Sequence, residues 1–262
     1  MAAGRRIGAP LLGALLFALS APAALAVECP ADRIDRRATV EYVYDGDTVR
    51  LDDGTRVRFV GVNTPEIGHD GARDEPFARA ARTALQRWLS ASGHRIALRL
   101  DRDRRDHYGR LLAHAYLPDG RSIDRLLLER GLALRITVPP NTWHFACYAR
   151  AENEARAADR GVWTVERYRG VPAGSLGADA GGFHVVTGRI GRVGESRRAW
   201  WLELDGLTLR LAKDDLSYFD GLDAQSLPGR RLRVRGWIYR VHDEARMNLR
   251  HPGAVEWLDS GE

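Results

Sequence analysis

Lysine is nearly missing from this chain. Lys213 is the only one in 262 residues, so the 40 basic side chains are arginine at every other position. Cysteine is scarce as well: only Cys29 and Cys147 are present, and neither has metal-site spacing. That excludes a cysteine-rich scaffold and a thiolate zinc site. The histidines are scattered without ligand spacing. No internal repeat is visible, which excludes a solenoid. Beyond the N-terminus no run approaches the ~18 apolar residues of a membrane-spanning helix. A large charge of one sign is lacking too. The formal charge is +5, and removing Arg5 and Arg6 takes two positive charges from it and leaves +3. Abundant arginine therefore reads as composition, and any phosphate recognition has to be local.

Hydrophobic content is 44% and charged content 29%, ordinary values for a chain that buries a core. The length suits one large or two small domains. Residues 1–26 read as an export signal: Arg5 and Arg6 precede the apolar stretch Leu11 to Leu19, and Ala24-Leu25-Ala26 forms a small-x-small cleavage site. In an oxidising compartment Cys29 and Cys147 are an even pair, readable as one disulfide or as two unrelated thiols. The expectation is an exported protein, periplasmic or secreted.

Strands are predicted around Ala38–Leu51, with a hairpin turn at Asp52-Asp53-Gly54, and over Arg56–Val62. The period then changes. Phe77, Ala81, Leu85, Trp88 and Leu89 recur at three and four, which predicts an amphipathic helix over Pro76–Ala91. Strands over Arg95–Leu100 and Leu111–Leu117 flank a charged loop, Asp101–Arg110. Ser122 caps a short helix that ends at Gly131, and a longer helix is predicted over Thr142–Arg160. Glycine-rich residues 167–182 read as a linker between a domain at 27–166 and a small all-β domain at 183–262.

Three stretches carry chemistry. Asp45-Gly46-Asp47-Thr48 sets two carboxylates about a glycine, a way to offer oxygen ligands to a hard cation. In Asn63-Thr64-Pro65-Glu66 the proline holds Thr64 extended and Glu66 in one direction, five residues after Arg58. Asp106-His107-Tyr108-Gly109-Arg110 stands at the entrance to a strand. Taken singly, each has a plain structural reading as a turn or a solvated face.

Together, in this order and spacing, they resemble the staphylococcal nuclease family over about Ala38 to Trp163, with Gly161-Val162-Trp163 as a closing mark. The resemblance implies a five-stranded OB-type barrel with three helices. It implies a calcium-dependent endonuclease acting on DNA and RNA and leaving 3′-phosphate ends. By position Asp47, Asn63 and Thr64 would hold the metal. Glu66 would be the general base, Arg58 and Arg110 would bind phosphate, and Tyr108 would contact a nucleotide. One departure stands out: the family pattern has an aspartate where this chain has Asn63, which lowers the expected cation affinity. The second domain resembles OB-fold modules that bind nucleic acid, through Val234-Arg235-Gly236-Trp237-Ile238, and reads either as a barrel that raises substrate affinity or as a structural or protein-binding one. A monomer with a nucleic-acid substrate and no membrane span is expected. The competing readings are a barrel that grips nucleic acid and cuts it weakly or not at all, which Asn63 favours, and an envelope protein whose second barrel docks a partner.

Overall fold

The structure is a computed structural model that describes residues 29–259; the export segment expected over 1–26 lies outside them. The chain is mainly β with short helices and closes two five-stranded barrels. In the first barrel the strands are β1 (Arg36–Val43), β2 (Thr48–Leu51), β3 (Arg56–Phe59), β5 (Arg95–Arg105) and β6 (Leu111–Tyr116). They close in the order β1-β2-β3-β6-β5. Alternation drives closure: Val49, Leu51, Val57, Phe59 and Leu98 point inward and are fully buried. A short ribbon, β4 (Val62–Asn63) with β7 (Leu134–Arg135), lies beside the barrel.

Helix α1 (Ala78–Ala91) buries Ala81, Leu85, Trp88 and Leu89, the face that the three-and-four spacing predicts. Ser122 caps α2 (Ile123–Glu129) by accepting the Arg125 N–H at 3.2 Å. Helix α3 (Phe145–Ala157) starts three residues later than its composition predicts. The Cys29–Cys147 disulfide ties the start of the described chain to it.

Two stretches carry more structure than their sequence predicts. Strand β5 runs on through the expected loop to Arg105, where it pairs with Leu111 after a register shift. Its last four residues are exposed and charged, so no apolar alternation marks them. Residues 167–182 hold most of α4 (Glu166–Arg169) and also β8 (Val171–Pro172), which pairs with β9 (Gly182–Glu195). Tyr168 is buried with Trp163, Leu134 and Phe183, so this connection packs against both barrels.

The second barrel consists of β9, β10 (Ala199–Leu204), β11 (Leu207–Ala212), β12 (Arg231–Val241) and β13 (Glu244–Leu249). It closes because β12 pairs with both β13 and β9. Strand β14 (Val255–Trp257) adds to β12. A 3-10 turn over Lys213–Tyr218 follows β11. No described helix is long and apolar enough to cross a membrane.

Candidate active site

Strand register brings the three sequence stretches together. On β2 and β3, Thr48 lies opposite Arg58, so the Asp45–Asp47 turn ends beside the Arg58 side chain. On β3 and β6, which run parallel, Arg58 lies opposite Leu112, two residues past Arg110. On β4 and β7, Asn63 pairs with Leu134, which fixes the start of Asn63-Thr64-Pro65-Glu66. Gly46 permits the closest approach: a Cβ there would sit 2.6 Å from Thr64 Cγ2 and 2.7 Å from Ala81 Cβ. Any larger residue would push the acidic turn away from Thr64.

Asp47 is buried and fully engaged. Its Oδ2 accepts the Thr64 N–H at 2.7 Å and the Thr64 hydroxyl at 3.0 Å. Its Oδ1 accepts the Thr48 hydroxyl at 3.1 Å and lies 3.2 Å from Arg58 Nε. Arg58 also donates to the Val62 carbonyl at 2.9 Å and to Asn63 Oδ1 at 3.1 Å. Asn63 therefore faces the same guanidinium as Asp47. Asp45 Oδ1 accepts the N–H groups of Asp47 and Thr48 at 2.9 and 2.6 Å.

Arg110 is held from the other side. Asp106 Oδ2 accepts its Nε–H at 2.7 Å, and Asp106 Oδ1 accepts the backbone N–H groups of Tyr108 and Arg110 at 3.0 and 2.9 Å. Gly109, at φ +77°, turns the chain between them. Tyr108 is 63% exposed and lies 5.3 Å from the Arg110 guanidinium. Asp106 thus orients both the arginine and the ring.

Glu66 lies within reach of these charges. Its residue stands at the surface, yet burial of its carboxyl pushes its pKa up, followed by the Asp47 charge and Glu75; Arg58 and Arg110 pull it back down. One carboxyl thus feels both arginines and Asp47. Its backbone is fixed by Glu75, whose Oε2 accepts the Glu66 N–H at 3.0 Å and the Tyr168 hydroxyl at 3.3 Å. Burial, then Asp47 and Glu66, push the Asp45 carboxyl up to about 7. Asp45, Asp106 and Glu75 stand beside the sequence-predicted site residues without an individual role assigned from the sequence. Asp45 carried a signal in the Asp-Gly-Asp triplet; Glu75 carried none.

Among the described residues no three His, Cys, Asp or Glu side chains gather tightly enough to form a ready metal cage. The donor set nevertheless fits a hard cation. Every candidate ligand atom is oxygen, and the Asp45, Asp47 and Glu66 carboxyls repel one another around the Arg58 guanidinium, with Arg110 acting on Glu66 as well. A divalent ion would relieve that repulsion.

Barrel, helices and this cluster together define an OB-type scaffold of the nuclease-type hydrolases. Residues 56–165 match the family described as staphylococcal nuclease homologue. Over 127 residues the chain is 35% identical to a thermonuclease of Staphylococcus intermedius, covering 47% of this chain and 74% of that protein. It is 34% identical over 135 residues to endonuclease YncB of Bacillus subtilis, covering 50% of this chain and 63% of the relative. Against the SPbeta prophage-derived endonuclease YokF of the same organism it is 33% identical, spanning 45% of that protein. The chain belongs to the staphylococcal nuclease family. Membership suggests dependence on a divalent cation.

Proposed function

We propose that this protein is an exported endonuclease that hydrolyses phosphodiester bonds of DNA and RNA with the help of a divalent cation, calcium by family resemblance. The observation that carries this reading is that Arg58 and Arg110 line one cleft, while Asp47, paired with Arg58, accepts the N–H of Thr64 two residues before Glu66. Names of the relatives, thermonuclease and endonuclease, agree with it.

A phosphodiester repels hydroxide, and in-line attack builds further charge on the phosphoryl oxygens. Arg58 and Arg110, held by Asp47 and Asp106, offer donors that need no reorganisation as that charge grows. Glu66 takes the proton from the attacking water. Its raised pKa makes it a stronger base than an ordinary surface glutamate. Water oxygen bonds to phosphorus, the bond from phosphorus to the 5′ oxygen breaks, and the 5′ hydroxyl leaves with a solvent proton. Asp47, the Thr64 carbonyl and Asn63 would hold the cation, whose contribution is to polarise phosphate or water. Tyr108, open to solvent beside Arg110, offers a nucleotide a flat face.

Export is supported by the signal pattern in 1–26 and by the Cys29–Cys147 bridge, which suits an oxidising compartment. We read 27–166 and 183–262 as the two domains, in a monomer. Incubating the purified mature protein with plasmid, with calcium or with a chelator, tests the assignment. Degradation in calcium alone is expected, and an intact plasmid in both would overturn it. Asn63 favours a second reading, a barrel that binds nucleic acid but cuts it poorly; retention of the plasmid without cutting is its signature.

A further inference from the structure

Strand β12 carries an unusual outward face. Leu232, Val234 and Ile238 point into the second barrel, so the alternate positions Arg231, Arg233, Arg235, Trp237 and Tyr239 point out. Arg235 is spent on the first domain: its Nη1 reaches both oxygens of Glu152 at 2.6 and 2.7 Å. That contact docks β12 across α3 and sets Trp237, two residues on, at the edge of the first domain. Trp237 is 44% exposed, and buried Phe183 props its ring edge-on at 5.0 Å.

Trp237 lines a cleft of about 1060 Å³ whose walls also include Arg58 and Arg110 of the candidate active site. Four arginines, Arg58, Arg105, Arg110 and Arg250, line it with Asp103 and Asp106; Asp47 pairs with Arg58, and Asp215 lies 3.3 Å from Arg250, whose side chain stays 43% exposed. Asp106 is already taken by Arg110. A second cavity of about 710 Å³ continues past Trp237 and shares Ile136, Val138, Trp237 and Arg250 with the first. Of the five exposed large hydrophobic residues described, Val138 and Trp237 stand on this groove and Tyr108 on the loop beside it.

We infer that the second barrel extends the substrate path. The groove holds the single-stranded continuation of a nucleic-acid chain whose scissile phosphate sits at Arg58 and Arg110, with an unpaired base stacked on Trp237 and the backbone phosphates facing Arg250. This rests on the endonuclease reading. A basic track with an aromatic platform is what a polyanion of flat bases needs, and its sequence-tolerant stacking requires bases that are not paired.

The test uses the full chain with Glu66→Gln to stop cutting, and fluorescently labelled oligothymidines of 4 and 16 nucleotides. Trp237→Ala should weaken the 16-mer about tenfold. It should leave the 4-mer, which the active site alone can hold, within twofold. Trp237→Phe should recover most of the loss, and a 16-base-pair duplex should be indifferent to both changes. Arg250→Ala should lower the salt slope for the 16-mer by about one. Equal 16-mer affinity for Trp237→Ala and its parent overturns the inference, as does equal loss on 4-mer and duplex. Cleavage of the 4-mer by the chain with native Glu66 reads the endonuclease assignment separately. If that cleavage is missing while the Trp237 dependence persists, the groove stands as a binding site and the enzyme reading falls.

Discussion

Glu152 on α3 and Arg235 on β12 meet at 2.6 and 2.7 Å, and their side chains are 1% and 10% exposed. The same carboxylate accepts the Arg135 N–H at 2.7 Å, and Arg135 reaches on to the Gly253 carbonyl at 3.2 Å. Burial drags the Arg135 pKa down to about 10, against the pull of Glu152. Two guanidinium groups thus depend on one buried carboxylate. Glu152→Ala should cost about 3–5 kcal/mol, because it strands buried positive charge. Replacing Glu152 and Arg235 together by methionine should recover only part of it, because Arg135 stays buried without its carboxylate. Urea unfolding of the three proteins checks this; an unchanged midpoint for Glu152→Ala would refute the role.

Glu66→Gln should keep the fold and lose nearly all cleavage, since the amide cannot take a proton from water. Arg110→Ala should lose on the order of 10²–10³ in rate. Asp106→Asn should lose less, since it only loosens Arg110 and Tyr108. Single-turnover cleavage at saturating oligonucleotide separates the three.

Asn63→Asp tests the departure from the family pattern. The amide oxygen accepts from Arg58 at 3.1 Å, and an aspartate can do the same while adding a charge. Calcium affinity should rise about tenfold, worth ~1.4 kcal/mol. Calorimetry of calcium binding without substrate reads it, and a fall in affinity would remove Asn63 from the ligand set.

Motif chemistry was legible where the residues lie consecutively. Asp47, Thr64, Glu66, Arg58 and Arg110 were named through the family resemblance of their short motifs, and strand register brings the stretches that hold them together; the core faces of α1 and β3 followed from period alone. What stayed hidden depends on chain reversals. Glu75 reaches Glu66 only because the loop between them folds back, so that the Glu75 N–H meets the Glu66 carbonyl at 2.9 Å. Asp45 looked like half of a turn until burial set its charge against Asp47 and Glu66. Trp237 stood in the stretch that resembles OB-fold modules, but its place at the edge of the first domain stayed hidden, because it is set by a contact between positions 83 apart in sequence.

Cys29 and Cys147 close a loop of 118 residues. Chain entropy puts such a link at up to about 4–5 kcal/mol, with ~2–4 commonly measured. Replacing both by serine should lower the melting temperature by several degrees and leave cleavage at 25 °C intact, because neither residue touches the site. Melting with and without reductant gives the comparison.

Asp124, in the first turn of α2, is fully buried beneath the first barrel. Its Oδ2 accepts the Ala115 N–H at 3.0 Å and the Tyr148 hydroxyl at 3.2 Å, whereas Oδ1 has no partner. Burial pushes this carboxyl up to about 8, past the lowering effect of those two bonds. An unfolded aspartate titrates near ~3.9. Between those values the folded chain keeps a proton that the unfolded chain has released. The contribution of this group is therefore complete below pH ~4, declines as pH rises and is gone above about 8. Asp124→Asn keeps a neutral side chain that still accepts both bonds. Its stability at pH 5 should lie within about 1 kcal/mol of the parent, and it should overtake the parent by pH 8. Urea midpoints across pH 4–9 decide it: parallel curves for the two proteins would show that Asp124 is ionised throughout.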